Sequence, residues 1–143
     1  RPMIMSFAGN IYLQQEPGGE FIMGFGPEYE PPEYKVTSTW DFVEEMCRKA
    51  VHYLPYLKNV RIVRQWAGLY EMSPDAQPIL GKAEEVEGVY LATGFSGHGF
   101  MFGPITGQLM AEYILGLPTT LPIDKLDVGR FKRGELIFEP SVV

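Results

Sequence analysis

Apolar, β-forming residues cluster at the start of the chain and predict paired strands. Residues 3–13 are strand-like with a break at residues 9–10, and residues 21–23 resume the apolar run after the turn signal Pro-Gly-Gly at 17–19. Because two β-segments around a glycine-rich turn typically form a hairpin, we predict one here. Residues 27–36 contain three prolines and are predicted to form a loop.

Apolar residues at three- and four-residue intervals predict an amphipathic helix over residues 39–54. Ser38 or Thr39 can cap its N-terminus, and Pro55 ends it. Cys47 falls on the apolar face and is predicted to lie in the core rather than to act as a nucleophile. The predicted face comprises Trp40, Val43, Met46, Cys47, Ala50, Val51 and Leu54.

The second half of the chain reads as short strands followed by a helix. Residues 60–72 are β-like, Asp75 is predicted only to fix a turn, and residues 78–81 form a short extended piece. Residues 88–94 are an apolar run bounded by glycines, which predicts a strand buried on both faces. A helix is predicted from Pro104 to residue 115, with glycine at 116 as its C-terminal cap.

Composition excludes several classes of partner. The formal net charge of -6 over 143 residues argues against nucleic acid and anionic membrane surfaces. Cys47 is the single cysteine, so no internal disulfide can form, which is compatible with a cytoplasmic location. No run approaches the roughly 18 apolar residues of a membrane span, and no metal site is predicted.

The strongest chemical signal is the glycine-rich loop 94–100, GFSGHGF, between the predicted strand and helix. Such a unit presents backbone N–H groups and a helix N-terminus to a ligand. The loop matches neither GxxxxGK[ST] nor GxGxxG, so a phosphate cradle is not predicted. A flavin edge would suit these donors, since reduced flavin carries negative charge there. The residues alone leave open whether the loop binds flavin or is only a tight turn.

Two blocks of this chain resemble the D-amino-acid oxidase/sarcosine oxidase superfamily of FAD-dependent amine and amino-acid oxidoreductases. They are the loop GFSGHGF and the stretch 66–75, WAGLYEMSPD, followed by PILG at 78–81. The hairpin, the helix at 39–54 and residues 130–136 extend the likeness over nearly the whole chain. Within the superfamily, the chain is most similar to β subunits of L-proline dehydrogenases, then to those of heteromeric sarcosine oxidases.

The resemblance implies an α/β fold with a mixed, mainly antiparallel sheet and a flanking helix. Residues 1–87 would end the substrate domain, residues 88–116 would be the closing strand, loop and helix of the FAD domain, and residues 117–143 a tail. The family's N-terminal GxGxxG is not found in these residues. The chain is therefore expected to be a C-terminal part, inactive alone, that needs the N-terminal FAD-binding part, another copy or other subunits.

The resemblance also implies the site residues. Ser96, Gly97, His98, Gly99, Phe100 and Met101 would contact the flavin. His98 and Tyr70 are the catalytic candidates, although His98 could equally only shape the loop. Tyr70, Trp66 and Tyr12 are the candidate substrate contacts, with a core role left open for Trp66 and Tyr70.

Several positions depart from relatives. Monomeric sarcosine oxidases have a lysine at the position of Met101 and a flavin-anchoring cysteine at that of Gly68, so non-covalent FAD is expected. The stretch 69–71 lacks the arginine that clamps the substrate carboxylate in glycine-oxidase-like members. Ile22 replaces the lysine that promotes reaction with oxygen, which favours a dehydrogenase.

The expected reaction is hydride transfer from L-proline, sarcosine or a similar amine to flavin. An oxidase producing hydrogen peroxide and a non-catalytic assembly module remain the alternatives.

Overall fold

The computed structural model describes residues 1–26 and 31–138, which divide into two compact units. The described part of the first unit ends at Leu69, and that of the second begins at Tyr70. Part of the predicted loop 27–36, residues 27–30, lies outside the described residues. Its remainder, residues 31–36, has no regular secondary structure, as predicted.

The first unit contains a three-stranded antiparallel sheet. Its strands are β1 (Met3–Ser6), β2 (Ile11–Gln15) and β3 (Phe21–Gly24), with β2 in the centre. Tyr12 pairs with Met5 on one side and with Gly24 on the other. Both the break at residues 9–10 and the turn around residues 17–19 are therefore confirmed as strand connections.

Helix α1 (Trp40–Tyr53) packs against this sheet. The Thr39 hydroxyl accepts a hydrogen bond from the Phe42 N–H at 3.2 Å, so Thr39 is the N-cap. Pro55 follows the helix and opens a short 3₁₀ helix, Pro55–Asn59. Alternate positions of the central strand meet one stripe of the helix, and the buried core comprises Ile11, Leu13, Met46, Ala50 and Leu57.

The buried stripe of α1 is narrower than the sequence predicts. Cys47 is exposed, so its predicted core position is wrong, and Trp40 is 85% exposed. Only Met46 and Ala50 of this helix are buried, four residues apart and therefore on one line along the helix. Cys47 is rotated by about 100° from Met46, which places it beside the stripe.

The strand predicted over residues 60–72 is not found. After the 3₁₀ helix this stretch has no regular secondary structure, and Val63 is 88% exposed. A strand requires a partner ladder, and no segment of the described chain pairs with these residues. Local β propensity was a poor guide here because it reports fitness for a sheet surface, which needs a neighbouring strand.

The second unit contains a two-stranded antiparallel sheet and the long helix α2 (Gly99–Ile114). Strand β4 (Ile79–Lys82) pairs with β5 (Tyr90–Thr93). A 3₁₀ turn (Asp124–Leu126) and the one-turn helix α3 (Arg130–Arg133) follow. The core of this unit comprises Leu80, Leu109, Met110 and Ile123. The elements agree with the α/β prediction of antiparallel strands and flanking helices.

Two predictions in this unit need correction. Strand β5 is not buried on both faces, since Tyr90 is 39% exposed and β4 is its sole neighbour among the described strands. Helix α2 begins at Gly99 and contains Pro104, which was predicted to start it. Proline clashes with the Cβ of a helical residue before it, and glycine at 103 has none, which eases the continuation.

Helix α2 ends as predicted. Gly116 has a φ of 71°, its N–H bonds to Tyr113 O at 3.2 Å, and the Leu117 N–H bonds to Glu112 O at 2.9 Å. This is the Schellman arrangement, which favours glycine. Among the described residues, no helix has the length and apolar character needed to cross a membrane.

Candidate functional site

The glycine-rich loop connects the end of β5 to the start of α2. Gly94, Ser96 and Gly97 have φ values of 69°, 51° and 93°, so the chain reverses through left-handed conformations within four residues. Glycine adopts such values without steric cost, whereas Ser96 does so against its preference. The tight turn lets a sixteen-residue helix begin directly at Gly99.

The N-terminus of α2 offers unpaired donors. The N–H groups of Gly99, Phe100 and Met101 have no acceptor within the helix, because the first turn of any helix lacks one. The neighbouring amides are bonded: His98 N–H to Phe95 O at 3.0 Å and Phe102 N–H to His98 O at 3.3 Å. Phe100 is 98% exposed, so this end of the helix is open.

Ser96 is held inside the protein. Its side chain is buried, its N–H donates to Glu71 O at 3.1 Å, and its Oγ accepts from the Ser73 N–H at 3.2 Å. The same hydroxyl lies 3.2 Å from Gly94 O, to which it donates. Ser96 was predicted to contact the flavin, but these bonds engage its N–H and its hydroxyl within the protein. It shapes the loop from inside.

Glu71 ties the start of the loop to the preceding block. Its carboxylate accepts hydrogen bonds from the Thr93 hydroxyl and from the Gly94 N–H, the latter at 3.0 Å. The hydrogen bond from Thr93 lowers the pKa of Glu71 below its ordinary value, and the bond from Gly94 adds a smaller effect in the same direction. The sequence identified this position only by its lack of a cation, so the tether was missed.

Tyr70 and Gly97 are brought together. A Cβ placed on Gly97 would lie 3.1 Å from the Tyr70 ring, so glycine permits the close approach of ring and loop. Tyr70 is 60% exposed within this chain. The ring therefore stands on the loop with much of its surface available.

His98 occupies the position before the first residue of α2. Its side chain makes no capping bond, it is half-buried, and its ring centroid lies 6.4 Å from that of Phe102. Its backbone N–H holds the loop through Phe95 O. The main chain of His98 thus has a structural role, whereas its imidazole lies at the N-terminus of helix α2 without a capping bond.

The other two candidate substrate residues belong to the first unit. The Tyr12 ring lies over Gly24 of the neighbouring strand. Trp66 is 59% exposed, and the Arg64 guanidinium carbon lies 5.9 Å from its ring centroid. Trp66 is therefore not buried by the described part of this chain.

A buried ion pair behind the loop was not predicted. Arg130 donates to Asp75 through Nε at 2.8 Å and Nη2 at 2.9 Å, and both side chains are at most 1% exposed. The remaining guanidinium donors bond to the backbone oxygens of Leu126, Asp127 and Gln77. All five N–H groups of Arg130 are thus satisfied, as a buried guanidinium requires.

Asp75 does more than fix its turn. Besides Arg130 it accepts from the Gln77 N–H at 3.2 Å and the Ile137 N–H at 3.3 Å, so it joins the turn to the C-terminal segment. The hydrogen bonds from Arg130 hold its pKa well below the usual range. The pair is 55 residues apart in sequence, and neither residue carries a local signal of the other.

The chain is similar in sequence and fold to known FAD-dependent oxidoreductases. A family model for FAD dependent oxidoreductases, DAO, matches residues 1–113. Sarcosine oxidase subunit beta of Rhodobacter capsulatus is 31% identical over 137 residues, covering 96% of this chain and 32% of that protein. Hydrogen cyanide synthase subunit HcnC of Pseudomonas aeruginosa is 34% identical, covering 94% of this chain and 30% of that protein.

Solved structures agree. The L-proline dehydrogenase from P. horikoshii superposes with a TM-score of 0.88 at 43% identity, covering 95% of this chain and 36% of that chain. Glycine oxidase from Geobacillus kaustophilus, at 22% identity and a TM-score of 0.78, has the same fold. The chain spans about a third of the length of these relatives. The resemblance drawn from its two sequence blocks is confirmed, and the chain belongs to the DAO family of FAD-dependent oxidoreductases.

Proposed function

We propose that this chain supplies the backbone donors that contact the flavin edge, and part of the substrate-binding wall, of an FAD-dependent dehydrogenase. The enzyme would oxidise a secondary amine or amino acid of the L-proline or sarcosine type. The observation that carries the proposal is the open first turn of α2, placed directly behind a loop with three left-handed residues. Its unpaired donors fit the acceptor-rich edge of a flavin ring.

The residues of the loop have distinct proposed roles. The amides of Gly97, Gly99, Phe100 and Met101 would face the pyrimidine edge of non-covalent FAD, and the helix N-terminus would stabilise negative charge there. FAD supplies the hydride acceptor when bound. His98 would orient the ring or adjust its charge, and Ser96 would hold the loop without touching the ring.

Tyr70 is the proposed substrate contact of the second unit. Its exposed ring stands on Gly97, so a substrate beside the flavin edge would meet it. Its hydroxyl can donate to a carboxylate, which matters because residues 69–71 carry no cation. Trp66 and Tyr12 stay predicted contacts, to be tested by the KM for the amine in alanine variants.

Electron transfer to a dye-like or protein acceptor, rather than to oxygen, rests on Ile22. This side chain is 39% exposed on β3. By the family resemblance, it occupies the position of a lysine that promotes the reaction with oxygen in monomeric sarcosine oxidases, and it is apolar. We propose a cytoplasmic enzyme in which this chain works with an N-terminal FAD-binding part or with other subunits, since two relatives are themselves named subunits.

The test uses the full gene product and the 143-residue chain side by side. We expect the gene product to purify yellow with FAD and to reduce a dye with L-proline or sarcosine, and the 143 residues alone to retain no FAD. Oxygen consumption during turnover would instead identify an oxidase. A full gene product that binds no FAD would overturn the proposed function.

A further inference from the structure

The ion pair of Arg130 and Asp75 is connected to the glycine-rich loop by hydrogen bonds. Ser73 Oγ lies 3.2 Å from Asp75 Oδ1 and 2.7 Å from Gln77 O, which itself accepts from Arg130. The single hydroxyl proton of Ser73 serves one of these acceptors at a time, and both belong to the same buried cluster. The hydroxyl of Ser73 is therefore fixed by the ion pair in either case.

The backbone of Ser73 carries the connection to the loop. Its N–H donates to Ser96 Oγ at 3.2 Å, and Ser96 is 1% exposed. Two residues earlier, Glu71 O accepts the Ser96 N–H at 3.1 Å. Ser96 is thus hydrogen-bonded through both its N–H and its hydroxyl to the segment that leads into the 73–77 turn.

We propose that Arg130, Asp75 and Ser73 are positioning residues: the buried ion pair holds the 73–77 turn, and the turn holds Ser96 and so the direction of the helix α2 amides. This inference rests on the proposed function for its consequence at the flavin, but the connection itself is a property of the protein without cofactor. None of the three residues needs to contact the flavin or the substrate.

The physical reason is the conformation of Ser96. A non-glycine residue with φ near 51° is disfavoured and persists only where its surroundings impose it. If the bonds from residues 71 and 73 are weakened, the loop can relax toward commoner backbone angles. The amides of Gly97 and the first turn of α2 would then lose their common direction.

The first experiment measures amide hydrogen exchange without FAD. The variants are Ser73→Ala, which cuts the link while leaving the ion pair, and Ser96→Ala, which removes the acceptor. We expect exchange about three- to tenfold faster at the hydrogen-bonded amides of this segment, matching the loss of one buried hydrogen bond, and little change in strand β4. These amides belong to Gly94, Ser96, His98 and Phe102. A residue that merely stabilised the unit would speed exchange throughout it instead.

Arg133→Met is the matched control. Arg133 lies on the same short helix as Arg130 and forms ion pairs with Asp127 and Glu135, but its side chain is 45% exposed, and none of its hydrogen bonds leads to residues 71–77. We expect its exchange pattern at residues 94–102 to match that of the wild type. Asp75→Asn does not test the loop alone, because a buried Arg130 without its counter-charge is expected to destabilise the whole second unit.

The second experiment measures FAD in the full gene product. Ser73→Ala and Ser96→Ala should each weaken FAD binding about three- to tenfold and make the flavin midpoint potential more negative, because misdirected amides stabilise the reduced ring less. The double variant should be no weaker than Ser96→Ala alone, since both changes break one path. Arg133→Met should leave affinity and potential unchanged.

Two results separate the two proposals. Unchanged exchange at residues 94–102 in Ser73→Ala and Ser96→Ala would overturn the positioning role, whatever the flavin does. Failure of the wild-type gene product to bind FAD would overturn the proposed function, while the exchange data would still decide whether the ion pair directs the loop.

Discussion

The cores of the two units are built from different kinds of interaction. The first unit buries a helix stripe of Met46 and Ala50 against alternate residues of β2, and its core cluster is wholly apolar. The second unit has an apolar cluster of its own, but it also buries the ion pair of Arg130 and Asp75 completely. An apolar core tolerates small losses by relaxation, whereas a buried charge without its partner cannot be relieved.

The largest effect is expected from removing one partner of the ion pair. Asp75→Asn leaves the Arg130 guanidinium buried without a counter-charge, which typically costs about 3–5 kcal/mol. Hydrogen exchange should show this as lost protection across residues 79–138, with the first unit unaffected. The exposed Arg133→Met serves as control, and an equal loss in that variant would show that burial does not distinguish the two arginines.

A core truncation in the first unit should cost slightly less. Met46→Ala deletes a buried side chain and leaves a cavity, with an expected loss of about 2–4 kcal/mol in the free energy of unfolding. Cys47→Ala, one residue further, should change it by less than about 0.5 kcal/mol because Cys47 is exposed. Urea denaturation followed by Trp40 and Trp66 fluorescence measures both. Equal losses would restore the wider apolar face inferred from periodicity.

The contrast between Met46 and Cys47 shows which features of the fold can be predicted from the sequence and which cannot. Periodicity located α1, its cap and the hairpin, because those depend on residues close in the chain. It could not give the width of the buried stripe, which depends on how the sheet meets the helix. Pairing of Arg130 with Asp75 was beyond it for the same reason, since the two are brought together only by the fold.

The candidate site divides in the same way. The glycines and the start of the helix were evident in the motif, and the close approach of Tyr70 to Gly97 was not. Ser96 was read as a ligand contact because it stands in the motif, but its hydroxyl is bonded inside the protein. Within such a loop, residue type identifies the motif, and only the structure shows which way each side chain points.

Acid should weaken the second unit more than the first. The pKa of Asp75 is lower folded than unfolded, so its contribution is fully present above the unfolded value of about 4 and is lost as the pH falls toward the folded one. In the wild type, we expect exchange protection at residues 79–138 to fall as the pH is lowered below about 5. In Asp75→Asn, this protection should depend less on pH. Identical pH profiles would contradict the role of this carboxylate.

The smallest predicted effect concerns the start of α1, where the sequence left two candidate caps. Thr39→Ala removes the hydroxyl that accepts from the Phe42 N–H and should cost about 1 kcal/mol in the free energy of unfolding, because that donor is then left to water. Ser38→Ala should cost almost nothing, since Ser38 makes no capping bond to this helix. Urea midpoints of the two variants compare them directly. A larger loss for Ser38→Ala would move the cap by one residue and show that even this local feature is set by the packing around the helix rather than by the first-turn hydrogen bond.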